Sequence, residues 1–290
     1  MKLGVVGLGL IGGSIALDLR RCGWATQIIG QDLSREHVST ALDLGIIDVV
    51  CSDATIASQC DVIIVSVPVG SSLKVIEDLL SNSSSRLTIF DVGSTKGVIA
   101  KHFAHHPKRA QLVLSHPMAG TEFSGPSAAH SGLFENKVAV LCETEKSGEV
   151  HLNKVREIYK LLGMRCILMD ASAHDLHVAF VSHLSHISSF VLAQTVLEKE
   201  KDEEKIFNLA SGGLESTVRL AKSSPSMWVS IFEQNRENIL ISLSDYIMQL
   251  QKFQNALQNK KFDELFGVMQ SSNEIKRVLS QIQKPNKDSP

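Results

Sequence analysis

The sequence predicts a doubly wound α/β sheet whose strands are mostly parallel, followed by an all-α C-terminal domain. Short apolar runs alternate with helical patterns in the first half of the chain, as strands and crossover helices do in such folds. Those runs are continuous in Val and Ile, which is typical of strands covered on both faces. The β pattern fades beyond Asp170. We therefore expect two domains, residues 1–170 and residues 171–290.

The elements of the first domain follow one another closely. Strands are expected at Lys2–Val6, Gln27–Gly30, Asp61–Val67, Leu87–Val92, Leu112–Ser115 and Arg165–Met169. Helices are expected from Gly12 to about Cys22, from Ser34 to Leu44, from Ser71 to Leu80 and from Glu149 to Leu162. Ser34 is a favourable N-cap for its helix, and Gly45 ends that helix.

The second domain is predicted to be helical throughout. Residues 171–199 form one long expected helix, and later apolar residues recur at spacings of three and four, as at Ile239, Leu243, Ile247 and Leu250. This periodicity indicates amphipathic helices. Their length and apolar character predict a homodimer that forms through the C-terminal helices.

Composition excludes several classes of partner. The net charge is -2 and charged residues make up 21% of the chain, so we expect neither a nucleic-acid partner nor a membrane partner. The five cysteines are scattered and contain no CxxC pair. This pattern argues against a disulfide framework and favours a cytoplasmic protein with reduced thiols.

A glycine motif follows the first predicted strand. Gly7, Gly9 and Gly12 form G-x-G-x-x-G before a helix, and Asp32 stands 20 positions later at the end of the second strand. These features together predict a Rossmann-type dinucleotide site in which the helix N-terminus faces the pyrophosphate. The candidate cofactor-binding residues are Gly7, Leu8, Gly9, Leu10, Ile11, Gly12, Asp32 and Val67.

Asp32 bears on the choice of cofactor. Its carboxylate would accept hydrogen bonds from the ribose hydroxyls of NAD and repel the 2′-phosphate of NADP. Arg35 lies close in sequence and would soften that repulsion. The sequence therefore favours NAD, with NADP the weaker alternative.

Three later segments carry candidate reactive groups. They are DVGSTK at 91–96, SHPMAGTE at 115–122, and a stretch with HD at 174–175 and SHLSH at 182–186. The first two follow predicted strands, where open α/β sheets hold ligands. His116 in the second segment is a candidate general base, because imidazole titrates near neutral pH.

These motifs, together with GLGLIGGS and RLAKSSPSMW (219–228), resemble those of the prephenate and arogenate dehydrogenases of tyrosine biosynthesis. The resemblance implies that His116 is the catalytic histidine and takes the proton of the ring hydroxyl. It implies that Ser94 orients that histidine and contacts the nicotinamide, which makes Ser94 both a catalytic and a cofactor-binding candidate. The residues that it implies for substrate binding are Arg219, His186, Thr121, Trp228 and His174.

The reaction that the resemblance implies is the NAD-dependent oxidative decarboxylation of prephenate to 4-hydroxyphenylpyruvate. Arogenate, which carries an amino group in place of the keto group, is an alternative substrate that would give tyrosine directly. A β-hydroxyacid dehydrogenase and an NAD-binding protein without activity are further alternatives on the same architecture.

Several site residues also have structural interpretations. Ser94 is a possible helix N-cap, Arg219 a possible surface ion pair, and Trp228 a possible core or interface anchor. The stretch GGLESTVR lacks the basic-plus-acidic pair of some relatives, and Ser185 stands where many relatives have proline.

Four histidines lie between residues 174 and 186, and they raise the question of a metal site. On a straight helix, residues nine positions apart face opposite sides. His174 and His183 would then diverge, as would His177 and His186. We therefore expect no metal.

Overall fold

The computed structural model describes residues 1–51, 55–202 and 207–282. These residues divide into two compact units, one over Met1–Arg236 and one from Glu237 onward. The first unit contains the whole sheet and continues beyond residue 170. The domain division expected at that residue stays a prediction.

Within the described residues, one sheet of eight strands forms the centre of the first unit. The strands are β1 Lys2–Val6, β2 Gln27–Gln31, β3 Val49–Val50, β4 Val62–Val65, β5 Thr88–Asp91, β6 Leu112–Pro117, β7 Val138–Cys142 and β8 Arg165–Met169. Their order across the sheet is β3-β2-β1-β4-β5-β6-β7-β8. Only the β6–β7 pair is antiparallel among these neighbours, which confirms the mostly parallel sheet.

The helices alternate with the strands and then dominate the chain. Those of the first half are α1 Leu10–Arg21, α2 Arg35–Asp43, α3 Ile56–Gln59, α4 Val69–Ser81, α5 Gly97–His102 and α6 Glu149–Leu161. Those that follow are α7 Ala171–Val178, α8 Leu184–Asp202, α9 Gly212–Val218, α10 Pro225–Gln234, α11 Arg236–Gln258, α12 Phe262–Ser272 and α13 Ile275–Ile282. Short 3₁₀ segments connect several of them.

The six strands expected from the sequence are present, and two more are added. β3 has only two residues, too few for a hydrophobic pattern to show. β7 is an apolar run with four buried residues that pairs antiparallel with β6 and parallel with β8. Ser34 caps α2 as expected, because its side chain accepts a hydrogen bond from the His37 amide at 3.2 Å.

The core consists of two apolar layers, one on each face of the sheet. Alternate residues of the strands point to opposite faces, so Leu3 and Val5 belong to one layer while Val6 belongs to the other. The first layer also includes Tyr159 of α6, and the second includes Ile76 of α4. Burial on both faces explains why the strands are continuous apolar runs rather than alternating ones.

The long helix after the sheet is continuous but irregular. Between α7 and α8 the backbone adopts a π-helical segment over Ala179–His183. By length and composition alone, Ala171–Lys201 is apolar enough to cross a membrane, with a mean hydropathy of 1.4 in its most apolar window. It also carries His174 and His183, each 1% exposed. These two buried polar side chains show that one side of the helix packs inside the first unit.

Candidate active site

The glycine loop between β1 and α1 lies where the strand order reverses. β1 pairs with β2 on one side and with β4 on the other, so the loop opens at the switch point of the sheet. Gly7 has φ +97°, and a Cβ there would come within 2.6 Å of the Ser66 carbonyl oxygen. A Cβ on Gly12 would overlap the Ser66 hydroxyl and the Gly7 carbonyl. Both positions therefore need glycine for packing.

Gly9 differs from its two neighbours in the motif. A Cβ built at Gly9 meets no described atom within 4 Å, so its backbone faces open space. Gly9 is also the N-cap of α1, and no side chain caps the first amide groups of that helix. Amides that lack a side-chain cap at a helix N-terminus suit an anionic group. The loop thus fits the pyrophosphate of a dinucleotide.

The Asp32 carboxylate is held by the protein backbone. Oδ2 accepts a hydrogen bond from the Leu8 amide at 2.8 Å, and Oδ1 accepts one from the Ser34 amide at 2.8 Å. The His37 ring lies beside this carboxylate, with its Nδ1 3.4 Å from Oδ2. Arg35, the residue expected to soften the charge of Asp32, is exposed. The carboxylate is therefore fixed where β2 ends, beside the glycine loop.

The side chains of the other cofactor candidates pack into the apolar core. Leu8 and Leu10 are buried, and Ile11 packs against the same apolar layer. Val67 is half-buried against the opposite layer. Their cofactor contacts stay predictions.

A second cluster, which we call the histidine centre, consists of His116, His174 and Asp175. His116 is the fifth residue of β6, near its carboxyl end. Its Nδ1 lies 2.9 Å from Nε2 of His174, and Nδ1 of His174 lies 2.8 Å from Oδ1 of Asp175. His174 and Asp175 are 1% and 4% exposed, whereas His116 is partly exposed. The structure thus shows a hydrogen-bonded chain that ends at a ring which a ligand can reach.

Asp175 also supports the loop that follows β5. Oδ1 accepts a hydrogen bond from the Lys96 amide and Oδ2 accepts one from the Gly97 amide, both at 2.7 Å. These amides stand at the start of α5, whose N-cap is Lys96. The carboxylate of α7 therefore does the capping that the sequence suggested for Ser94.

Ser94 itself is half-buried in the same loop. Within residues 1–51, 55–202 and 207–282, no hydrogen bond joins its hydroxyl to His116. His174 is the side chain that contacts the His116 ring in this structure. The orienting and nicotinamide-contacting roles implied for Ser94 stay predictions.

A buried ion pair lies beneath this loop. Lys96 is fully buried and its ammonium pairs with Asp91. The Asp91 carboxylate also accepts hydrogen bonds from the Gly93 amide at 3.0 Å and the Ser115 amide at 3.2 Å. Removing one partner of such a pair leaves an uncompensated buried charge. This pair ties the loop after β5 to β6, and hence to His116.

Electrostatics keep the His116 ring neutral. Burial lowers the pKa of His116 well below its ordinary value, and electrostatic interactions with His174, Lys96 and His183 lower it further. A neutral imidazole is the form that accepts a proton. His116 is therefore ready to act as a base at neutral pH.

The expectation that His174 and His183 face opposite sides of their helix is wrong. Both side chains are buried, and Asn235 contacts residues beside each of them. Its Nδ2 donates to the carbonyl of Asp175, the residue after His174, at 2.7 Å, and lies 3.2 Å from Nδ1 of His183. A π-helical turn contains more residues than an α-helical turn, so Ala179–His183 changes the angular relation on which that expectation depended. Even so, the described residues contain no group of three or more ligands that could hold a metal ion.

An aromatic pair forms another part of the site. The rings of His186 and Trp228 stack with centroids 3.7 Å apart, and His183 packs edge-on against Trp228 at 5.7 Å. The His186 Nδ1 lies 3.0 Å from the Ser182 carbonyl, so it is the protonated nitrogen of the neutral ring. Trp228 is 6% exposed and its Nε1–H has no hydrogen-bond partner among the described residues. A ligand oxygen would satisfy this buried donor.

Arg219 takes part in an ion pair. Its Nη1 lies 3.0 Å from Oε2 of Glu122, and its side chain is 50% exposed. The positive charge of Arg219 also lowers the pKa of His186, after the larger effect of burial, which places the two side chains near each other. Thr121 lies beside Glu122 and accepts a hydrogen bond from the Phe123 amide at 3.2 Å. The substrate-binding roles of these residues stay predictions.

Sequence reasoning did not assign roles to Asp175, Lys96, Asp91 or Asn235. The pairing of HD in sequence hints at a histidine–carboxylate contact. The other three become recognisable only when burial is known, because charged and amide side chains are almost never fully buried without a partner. The structure thus adds a supporting layer behind the predicted site.

Comparisons with known proteins agree over both halves of the chain. Residues 15–168 match the family model "Prephenate dehydrogenase, nucleotide-binding domain" and residues 170–271 match "Prephenate dehydrogenase, dimerization domain". Prephenate dehydrogenase of Bacillus subtilis (strain 168) is 32% identical over 97% of this chain and 76% of its own length.

Solved structures give the same result. Prephenate dehydrogenase from A. aeolicus in complex with hydroxyphenyl propionate and NAD+ matches with a TM-score of 0.88 and 31% identity, over 96% of this chain and 97% of that chain. Arogenate dehydrogenase from Synechocystis matches with a TM-score of 0.77 and 31% identity, over 96% of this chain and 100% of that chain.

Proposed function

The chain belongs to the prephenate dehydrogenase family, and on that premise we propose that it converts prephenate to 4-hydroxyphenylpyruvate with NAD as oxidant. Dehydrogenase activity of the prephenate, arogenate or cyclohexadienyl type belongs to the family as a whole. The choice of prephenate and of NAD is the proposal. One observation supports it most: a neutral, partly exposed His116 lies at the same sheet edge as the glycine loop.

The topology supports that pairing of base and cofactor. β1, β4, β5 and β6 are adjacent and parallel, so the loop after β1 and the end of β6 open on one side. Three interstrand spacings separate them, about 14 Å in all. A dinucleotide that lies across the switch point extends in this direction. The nicotinamide would then lie toward His116.

The residues of the site would bind the cofactor and transfer the proton, and aromatisation of the ring drives the loss of CO2. Bound NAD would supply the hydride acceptor, held by the amides near Gly9 and by Asp32. His116 takes the proton of the ring hydroxyl while the carbinol carbon loses hydride. The ring carboxylate leaves as CO2 and its bonding electrons enter the ring, which becomes aromatic. The phenolate then recovers the proton from His116, so atoms and charge balance.

The substrate is a dianion, and the site offers groups that bind anions. The guanidinium of Arg219 uses Nη1 for Glu122, and its planar fork suits a carboxylate. The indole N–H of Trp228 is a buried donor that needs an acceptor. Such donors favour the keto group of prephenate over the ammonium group of arogenate, which needs acceptors. This is the reason to propose prephenate first.

Asp32 supports NAD over NADP. Its carboxylate is held by the Leu8 and Ser34 amides at the end of β2, where the ribose of a Rossmann-bound dinucleotide lies. A 2′-phosphate there would meet this negative charge. We further propose that the protein is cytoplasmic and forms a homodimer, and the matched dimerization domain supports the homodimer. Light scattering at micromolar concentration tests the dimer, and a monomer would contradict it.

The experiment is a two-by-two comparison of prephenate and arogenate with NAD and NADP. We expect the highest kcat/KM for prephenate with NAD, and 4-hydroxyphenylpyruvate as the product. Faster turnover of arogenate, with tyrosine as the product, would replace the proposed substrate. NADH formation only from a small β-hydroxyacid, or tight NAD binding with no turnover of any of these substrates, would overturn the proposal.

A further inference from the structure

We propose that Asp175 and His174 are positioning residues that hold His116 in one tautomer, with the proton on Nδ1 and the lone pair on Nε2. The proposal deepens the function proposed above, because it rests on His116 as the base of that reaction. It assigns to His174 a role different from the substrate contact that the sequence suggested. Asp175 receives a role that no motif assigned.

We call the hydrogen-bonded series Asp175–His174–His116 the relay. Asp175 sets the direction of its hydrogen bonds. Its two carboxylate oxygens accept hydrogen bonds from the Lys96 and Gly97 amides at 2.7 Å each. Two backbone donors stabilise the ionised form of a carboxylate. Asp175 is only 4% exposed, so its remaining hydrogen-bond partner is a protein group rather than water. A carboxylate can only accept, so whatever approaches Oδ1 must donate.

His174 therefore has its tautomer set for it. Its Nδ1 lies 2.8 Å from Oδ1 of Asp175, and Nδ1 must carry the proton. In the neutral ring the other nitrogen, Nε2, is then an acceptor. The side chain is 1% exposed, and its Nε2 faces Nδ1 of His116 at 2.9 Å.

The same donor–acceptor rule fixes the tautomer of His116. Because His174 Nε2 accepts, Nδ1 of His116 must donate and carries the proton. In the neutral ring, Nε2 of His116 then holds a lone pair. This is the nitrogen left to meet a hydroxyl group of the substrate. The carboxylate, two rings away, thus selects the basic nitrogen without touching the substrate, as the aspartate of serine-protease triads does for its histidine.

Two substitutions test the relay by different routes. Asp175→Asn replaces one carboxylate oxygen with an NH2 group, although all three groups around Asp175 need an acceptor. The NH2 group can donate to Nδ1 of His174. That contact would reverse the tautomers of His174 and His116. His174→Phe keeps Asp175 on the α5 amides but removes the acceptor for His116. We expect kcat to fall by about 10² to 10⁴, with KM for prephenate and Kd for NAD changed by no more than about threefold.

The decisive readout is ¹⁵N NMR of histidine-labelled protein. We expect Nδ1 of His116 to be protonated and Nε2 unprotonated in the wild-type chain, with this pattern lost in both variants. His116→Asn assigns the signals, because it removes them. A merely structural role of His174 would lower stability without changing the His116 tautomer.

His151→Phe is the matched control. His151 is also a buried histidine whose Nδ1 has a side-chain partner, Thr88 Oγ1 at 2.7 Å. Thr88 begins β5, whereas Asp91 at the other end of that strand leads to the site. We expect this variant to keep the kcat and the His116 signals of the wild type.

A protonated Nε2 on His116 in the wild-type chain would overturn the relay. An unchanged tautomer in His174→Phe would overturn it too, even if kcat falls. These outcomes are separate from failure of the proposed function. If no substrate is turned over but the tautomer changes as expected, the relay holds and the assigned reaction is wrong.

Discussion

The glycine loop and the histidine centre lie at the same edge of one sheet, yet they are built in opposite ways. The loop uses backbone: Gly7, Gly9 and Gly12 lie within six consecutive residues, and two backbone amides hold Asp32. The histidine centre uses side chains from distant segments. His116 and His174 are 58 positions apart, and the Asp175 carboxylate binds the backbone amide of Lys96, 79 positions away.

Because of this difference, the two regions are sensitive to different kinds of substitution. The backbone site depends on the absence of side chains, because a single Cβ on Gly7 or Gly12 would overlap the chain. A site made of side chains depends on protonation states and on burial. Its residues can be replaced without moving the backbone, but its chemistry is then lost. Substitutions in one region should therefore leave the other intact.

The largest effect is expected from His116→Asn. It removes the base and leaves the glycine loop untouched, so kcat should fall by about 10² to 10⁴ while NAD affinity stays unchanged. NADH absorbance measures the first quantity and calorimetry the second. Near-normal turnover would contradict the assigned base, and a parallel loss of NAD affinity would show that the two regions are not separable.

The second effect is a pH dependence of stability that arises at His183, a buried residue whose pKa also responds to Asp175 and His174 of the histidine centre. Burial lowers the pKa of His183 from 6.5 to about 4. The unfolded chain therefore binds this proton at higher pH, and stability is lost as pH falls from 6.5 toward 4, by up to about 3 kcal/mol. Chemical denaturation at several pH values should show this slope. His183→Gln should reduce it, and the slope that remains should come from the other histidines whose pKa values burial lowers.

The exposed His177 on the same long helix provides the control for that slope. His177→Gln removes an exposed imidazole in place of a buried one. We expect the pH dependence of unfolding to match the wild type. An equal flattening in both variants would mean that the slope arises elsewhere.

The third prediction separates packing from ligand binding within the glycine loop. Gly12→Ala should destabilise the fold by about 1–3 kcal/mol, since the methyl group overlaps the chain, and NAD should bind at least tenfold more weakly. Gly9→Ala meets open space, so the melting temperature should stay the same while NAD affinity falls. Unchanged affinity in Gly9→Ala would mean that the pyrophosphate does not approach this backbone.

The smallest effect is expected at Arg219, which is half-exposed. Arg219→Lys keeps the charge but loses the planar fork, so KM for prephenate should rise by about tenfold with a smaller change in kcat. Arg277→Lys, in an exposed pair with Glu274, is the control and should leave KM unchanged. Equal KM values in the wild type and Arg219→Lys would return Arg219 to the surface-ion-pair interpretation.

Much of the first region was predictable from sequence, and the histidine centre was predictable only in part. The order of strands and helices, the glycine turn and the place of Asp32 follow from local patterns. His116 was found because it follows a strand. Its partner was not: the resemblance pointed to Ser94, whereas the structure places His174 against the ring. The expected divergence of His174 and His183 failed because a π-helical turn carries no clear sequence signal.

The alternation of strands and helices, the glycine loop and the candidate base were readable from the sequence, because hydrophobic period and glycine conformation act over a few neighbouring residues. Three contacts needed the folded chain: Asp175 caps α5, Lys96 is buried against Asp91, and Nδ1 of His116 lies against Nε2 of His174. These contacts join segments far apart in the chain. Their geometry follows from how helices pack on the sheet, and no local pattern records it.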